Sequence, residues 1–365
     1  QFAVDYAGLM HQPTARVLGR RHPALIPATH LLIRGELKTP GKLMTPALPA
    51  ALANTTNTPA ALARPFGSRK QLALWLTRPD HPLTARVMVN RIWQWHFGRG
   101  IVETSNDFGK MGQPPSHPQL LDWLATHFVA DGWKIKNLHR LIMNSAAYRR
   151  SSRLAGKRHL LEDPDNRLLW RANRRRLEAE ALWDAVHASS GTLNRTFGGP
   201  PVVPPLADDE IASLREKWHW TVSADPAQHT RRGIYIMVRR NFKFPMFEVF
   251  DTPITSVSCP VRDVTTVAPQ ALWSLNNNSV IRQATQLAGR VVKEAGREPV
   301  KQVQRAWQIV LSRPPSAEES RSALQLLESL AGTSQAELES PPEALKTLPA
   351  PQRRALAKLC LALFN

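Results

Sequence analysis

The sequence is short of cysteine: Cys259 and Cys360 are the only two in 365 residues. Neither belongs to a Cys-x-x-Cys pair, which excludes a zinc ribbon in this chain. Without Cys-x-x-Cys-His, covalent attachment of a c-type haem here is excluded as well. Their spacing does not decide whether the two cysteines pair. No run of 18 apolar residues occurs, so no membrane-spanning helix is predicted. Gly-x-Gly-x-x-Gly, a Walker loop, Gly-x-Ser-x-Gly and His-Glu-x-x-His are all missing, which lowers the expectation of nucleotide-binding, serine-hydrolase or zinc-protease chemistry. The start, Gln1-Phe2-Ala3-Val4-Asp5, has neither an initiator Met nor the basic-then-apolar pattern of a signal peptide, so the chain is expected to be cut from something longer. No internal repeat of fixed period is present.

Acidic residues are also scarce. Asp and Glu total 29 against 48 Lys and Arg, a net charge of +19. Such an excess favours polyanionic partners: nucleic acid, acidic polysaccharide, an anionic membrane surface or an acidic protein. The basic residues are scattered over most of the chain, a pattern that an organism-wide basic bias also produces. The 42% hydrophobic and 21% charged fractions are ordinary for a globular protein. The length allows one large domain or two, with a real core. The 30 prolines gather at Pro40–Pro65, Pro200–Pro205 and Pro341–Pro351, where they mark linkers and loop boundaries.

Helical spacing organises the middle of the chain. Ser68 reads as the N-cap of a helix through Leu72, Trp75 and Leu76 that stops at Pro79. His81-Pro82 opens a second, with Val89, Ile92, Trp93 and Phe97 on its apolar face and Gly98 and Gly100 at its end. Ser116 is expected to cap a third, through Leu121, Leu124 and Phe128 to Asp131-Gly132, and Asn137–Tyr148 reads as a fourth. These four are expected to form one bundle-like unit. Arg175–Gly191 reads as an amphipathic helix. Thr29–Glu36 reads as a short strand, Thr39-Pro40-Gly41-Lys42 as a turn, and Gly233–Val238 (GIYIMV) as the best strand in the chain. Ser279–Ala295, Val300–Ser312 and Ala317–Leu330 read as successive helices, the last opened by a capping box of Ser316 and Glu319. An apolar helix, Ala355–Phe364, closes the sequence. The fold class expected is mainly α: a multi-helix bundle-like domain with a few short β-strands and long Pro-rich loops.

Arg86, Asn90, Arg91, His96 and Asp107 form the densest polar constellation. Arg86 and Asn90 are four residues apart on one helix face. Arg, Asn and a nearby His suit a carboxylate, sulfate or phosphate; equally, Arg and Asn can tie the Glu103–Pro115 loop to the helix. A lone histidine such as His96 is more often structural than catalytic. Arg231–Asp251 interleaves Arg231, Arg232, Arg239 and Arg240 with aromatics, as a sugar or single-stranded nucleic-acid site would, and as a buried strand with basic ends also would. Arg171–Glu180 packs arginines beside glutamates. Of its neighbouring acids only Glu180 and Asp184 share a face, so no glycosidase pair can be argued. No metal site is expected.

Several long stretches, taken in order, resemble the planctomycete-specific domain of unknown function 1553. They are Leu72–Ser152, Asp163–Val186 (DPDNRLLWRANRRRLEAEALWDAV), Arg231–Asp251 (RRGIYIMVRRNFKFPMFEVFD), Thr265–Asn277 (TTVAPQALWSLNN) and the region around Leu311–Glu319 (LSRPPSAEE). Thr29–Gly41 (THLLIRGELKTPG) is similar to the segment that precedes that domain. The stretch between Asp251 and Arg262 departs from the family pattern, keeping Cys259 and Arg262 in an altered context. The resemblance implies an exported, periplasmic or cell-surface protein, with any c-type haem in an upstream domain and no cofactor in this chain. It brings no activity and no catalytic residues.

The domain expectation is residues 1–66 as the end of a preceding domain plus linker, 67–330 as the helical domain, and 331–365 as a tail with a short helix. The functional expectation is a binding or scaffold domain for an acidic or sulfated polysaccharide or for a redox partner protein. An enzyme acting on such glycans is the alternative and predicts that the polar groups above converge in one deep pocket. Charge-driven nucleic-acid binding is the least favoured.

Overall fold

The computed structural model describes residues 29–44, 49, 52, 69–153, 157–206, 210–211, 220–240, 242–332 and 337–365. Almost all of the Pro46–Pro65 linker, and the expected cap Ser68, lie outside them. The described residues hold thirteen α-helices and one two-stranded sheet, the mainly α architecture expected. The chain divides into two compact units, Gln1–Arg174 and Arg175–Asn365.

The first unit opens with an antiparallel hairpin of β1 (Thr29–Leu32) and β2 (Pro40–Met44). The turn expected at Thr39–Lys42 is displaced: Pro40 begins β2, a position where a strand tolerates its missing N–H. Helices follow at Arg69–Leu76 (α1), Thr84–Phe97 (α2), Pro118–Ala130 (α3), Ile135–Met143 (α4) and Lys157–Glu162 (α5). The core is built from α2, α3 and α4, with Val89, Ile92, Leu121, Leu124, Phe128, Leu138 and Ile142 all buried. Each such side chain contributes roughly 1.5–3 kcal/mol by leaving water. His81 anchors the start of α2: its Nδ1 accepts from the backbone N–H of Leu83 (3.2 Å) and Thr84 (3.1 Å). Burial lowers the His81 pKa, keeping the ring in the neutral form that can accept. Gly98 ends α2 with φ of 84°, a left-handed turn that favours glycine. Ser116 does not cap α3. Its hydroxyl bonds Ile101 O and His117 Nδ1 instead, and Pro118 occupies the first turn.

The second unit is arranged on α9 (Asn278–Ala295), its longest described helix. Before it come α6 (Ala179–Ser190), α7 (Pro245–Val249) and α8 (Ala268–Asn276). After it come α10 (Pro299–Leu311), α11 (Ala317–Ala331), α12 (Glu343–Lys346) and α13 (Ala350–Phe364). Leu287, Val291, Val303, Leu345, Leu356 and Cys360 make one core beneath α9. Trp183, Val202, Trp220, Ile236, Phe244 and Phe247 make a second. The closing helix starts five residues before the apolar run, because Pro351 lies in its first turn, where a missing N–H costs nothing.

Two expectations fail here. The helix expected from Arg175 begins only at Ala179, since Arg176 is drawn to Asp251 (2.6 Å) and the chain runs extended into Glu178. Gly233–Val238 is not a strand. Gly233 N donates to Asp184 Oδ1 (2.7 Å), and a Cβ on Gly233 would lie 2.9 Å from Glu180 Cα. The chain therefore presses onto α6, turns through a short 3-10 segment (Gly233–Tyr235), and makes a single parallel bridge between Ile236 and Val202.

Candidate functional site

Of the polar constellation on and after α2, only Asn90 is turned inward; Arg91 is exposed and Arg86, His96 and Asp107 are half-buried. Asn90 is fully buried. Its Nδ2 donates to Val102 O (2.9 Å) and its Oδ1 accepts from Val102 N (2.8 Å). The approach needs Gly100, where a Cβ would lie 2.7 Å from Asn90 Nδ2. Arg86 binds Asp122 (2.7 Å) and Pro82 O (2.7 Å), and Arg91 binds Asn106 (3.0 Å). Asp107 accepts from Gly109 N (2.8 Å) within its own loop. His96 instead meets His139 of α4, Nε2 to Nδ1 at 2.7 Å, with the Tyr148 ring edge-on at 5.4 Å. Such a bond needs one ring to donate and the other to accept, so it does not form between two imidazolium ions.

The arginines of the Arg231–Asp251 segment also separate. Arg231 is 2% exposed. Its guanidinium donates to the carbonyls of Thr196, Gly198 and Pro200 and lies 3.9 Å from the centre of the Tyr235 ring. It fastens a loop and faces no solvent. Arg232 pairs with Asp184 (3.0 Å), Arg239 Nε lies 3.3 Å from Met237 Sδ, and Arg240 is exposed. Some other charges of the second unit are paired. Arg262 takes Glu180 in a fork (2.7 and 3.2 Å), and that hydrogen bonding raises its pKa. Burial would raise the Asp251 pKa, but Thr265 and Arg176 outweigh it and hold the carboxyl below its ordinary value.

A different surface stands open in the first unit. Between Asp131 and Glu162 the sequence has no acidic residue. Lys134, Lys136, Arg140, Arg149, Arg150 and Arg153 are all exposed there. Lys134 lies 3.9 Å from Asp131 and, among the described residues, Arg140 binds the Asn137 amide. Lys136, Arg149, Arg150 and Arg153 have no ion pair among the described residues. Tyr148, 40% exposed, adjoins the arginines. The sequence signal for this surface is the acid-free interval itself, which carries no motif.

Beside it lies a cleft with about 30 Å³ of free space, room for one or two waters. Arg99, Glu103, Ser116, His117, Asp165 and Arg167 are among its lining residues; Arg86, Asn90, Arg91, His96 and Asp107 are not. Among the described residues no group of three or more His, Cys, Asp or Glu is placed to hold a metal ion, and no helix is long and apolar enough to cross a membrane. Cys259 and Cys360 are both free thiols, the first exposed and the second buried.

The family model described as PSD1, protein of unknown function (DUF1553), matches residues 68–327. No curated protein and no solved structure matches the chain.

Proposed function

The chain belongs to the PSD1 family of proteins of unknown function (DUF1553), and from that premise we propose that it is a non-catalytic binding module for an acidic polysaccharide outside the cytoplasm. The observation that carries this is the segment Tyr148–Arg153. It presents Arg149, Arg150 and Arg153 to solvent with no carboxylate among the described residues to neutralise them, in a stretch of chain without acids. Unpaired surface arginines keep their field available to a partner's carboxylates or sulfates, and Arg binds both in a planar fork. Paired arginines such as Arg262 and Arg313 have already given that capacity to Glu180 and Glu319. Tyr148 adds a flat apolar face against which a sugar ring can rest while its hydroxyl stays wet.

The test is a binding screen of the chain against sulfated and carboxylated polysaccharides and single-stranded DNA, each titrated with salt. Binding of an acidic polysaccharide that survives moderate salt, and that weakens when Arg149, Arg150 and Arg153 become Gln, supports the reading. Equal binding to every polyanion, lost together as salt rises, or binding indifferent to the three substitutions, overturns it.

A further inference from the structure

Two of the described tryptophans are more than half exposed, Trp95 on α2 and Trp123 on α3. Indole is a large apolar surface, and folding ordinarily buries most of it. The Trp123 ring is held in one orientation. It stacks on His127, four residues along α3, with the ring centroids 5.3 Å apart and the planes 8° from parallel. A stack of this kind is offset. It covers the indole only in part and leaves Trp123 54% exposed. The helix beneath is firmly seated: Leu121, Leu124 and Phe128, on its other side, are buried in the core. Next to Trp123, Asp122 accepts from Arg86 Nε of α2 (2.7 Å). The ring is thus placed before any ligand arrives, which lowers the ordering cost of binding.

The stacked pair leads toward the basic surface. Residues four apart share one side of a helix, so Trp123 and His127 are followed one turn later by Asp131, the residue that ends α3. Its carboxylate accepts from Asn137 Nδ2 (2.8 Å) and lies 3.9 Å from Lys134 Nζ. Lys134 is the first cation of the acid-free surface. From Trp123 to Asp131 the helix rises by about 12 Å, a track for an extended polymer with an aromatic ring at one end and cations at the other.

The indole supplies what cations alone lack. Its flat apolar face takes the C–H face of a pyranose while the sugar hydroxyls stay in water. A polyanion without rings gains nothing from it. The face is open, so it imposes no limit on ring size and takes any unit along a polymer. We propose that Trp123, stacked on His127, is a sugar-stacking platform for the polymer whose acidic groups the neighbouring cations hold. The proposal rests on the polysaccharide reading above and adds to it a source of preference for sugar over other polyanions. Nucleobases also stack on indole, but single strands use a series of aromatic rings for successive bases. The track from Trp123 to Asp131 offers one indole, which favours the sugar.

The experiment compares polygalacturonate and a sulfated galactan with polyphosphate, a polyanion without rings, and with oligo-dT, by calorimetry at low and raised salt. Four proteins are used: the full chain, Trp123→Ala, Trp123→Tyr, and the triple substitution of Arg149, Arg150 and Arg153 by Gln. Circular dichroism confirms that each is folded; Trp123 lies outside the core, so its loss is tolerated. Raised salt screens the cations. There the full chain prefers at least one polysaccharide over polyphosphate by roughly tenfold, the scale of one aromatic stack. Trp123→Ala brings that ratio near one and Trp123→Tyr, which keeps a flat ring, retains most of it. The arginine substitutions weaken polysaccharide and polyphosphate alike. A ratio near one in the full chain, a ratio that Trp123→Ala leaves intact, or a Trp123-dependent preference for oligo-dT over both polysaccharides overturns the platform while leaving polyanion binding in place. Failure to bind any of the polymers overturns the module itself, and the platform with it.

Discussion

Asn90 and Val102 pair in both directions: the side-chain amide donates to the Val102 carbonyl at 2.9 Å and accepts from its N–H at 2.8 Å. The side chain thereby does what a neighbouring strand would do, and fixes the start of the Glu103–Pro115 loop to α2. Asn90→Ala leaves both backbone groups buried without partners, and each such loss costs about 1–3 kcal/mol. Urea denaturation should show the first unit destabilised by roughly that sum. Polysaccharide affinity should be unchanged wherever the variant remains folded, because Asn90 reaches no solvent.

Arg231 and Arg240 stand nine residues apart in one basic segment and do different work. Arg231→Ala removes the donors for three loop carbonyls and leaves a void under Tyr235. It should cost several kcal/mol, on the order of 3 or more. Arg240→Ala, at an exposed position, should change stability by no more than about 0.5 kcal/mol. Equal effects in thermal melts would contradict the assignment.

His187 gives the second unit a pH dependence. It is 3% exposed, and its Nδ1 lies 2.8 Å from the Thr192 hydroxyl. Burial pushes its pKa down to about 4 from an ordinary 6.5, with Asp184 opposing weakly. The unfolded chain therefore binds a proton that the folded chain refuses. The neutral ring's contribution is complete above pH 6.5, declines as pH falls toward 4, and is constant below that. Across this window the second unit should lose roughly 3 kcal/mol. His187→Gln should flatten that part of the profile; an unchanged slope would show that other groups produce it.

The two thiols should differ in reactivity. Cys259 is exposed, with its Sγ 3.0 Å from Val261 O, whereas Cys360 is sealed in the core under α9 and burial pushes its pKa up. Ellman's reagent should titrate one thiol in the native protein and two after denaturation. Two fast thiols in the native state would mean that α13 is not packed as described.

The helices were legible wherever their signals were local. Gly98 and Gly191, both at positive φ, stop α2 and α6 where the apolar spacing ends. Ser316 and Glu319 form the capping box that their three-residue spacing called for. What escaped the sequence depends on partners far along the chain. GIYIMV has the composition of a strand, yet Asp184 and Glu180, some fifty residues earlier, bend it onto α6. Arg231 looked like a surface charge because the carbonyls that hold it lie more than thirty residues away. The cleft was hidden for the same reason: Arg99 and Arg167 come together only through the hydrogen bonds of Asn166 and Asn173. Asn90 and Arg86 have the residue types of an anion site, but residue type alone does not tell a ligand from the backbone carbonyls they bind.

The most direct measurement is the salt dependence of binding to a sulfated polysaccharide, for the chain and for its Arg149→Gln, Arg150→Gln, Arg153→Gln variant. The predicted result is saturable binding whose slope of log affinity against log salt falls by roughly two to three in the variant, near one per removed charge. An identical slope in both proteins would place the polyanion elsewhere on the +19 surface and contradict the account.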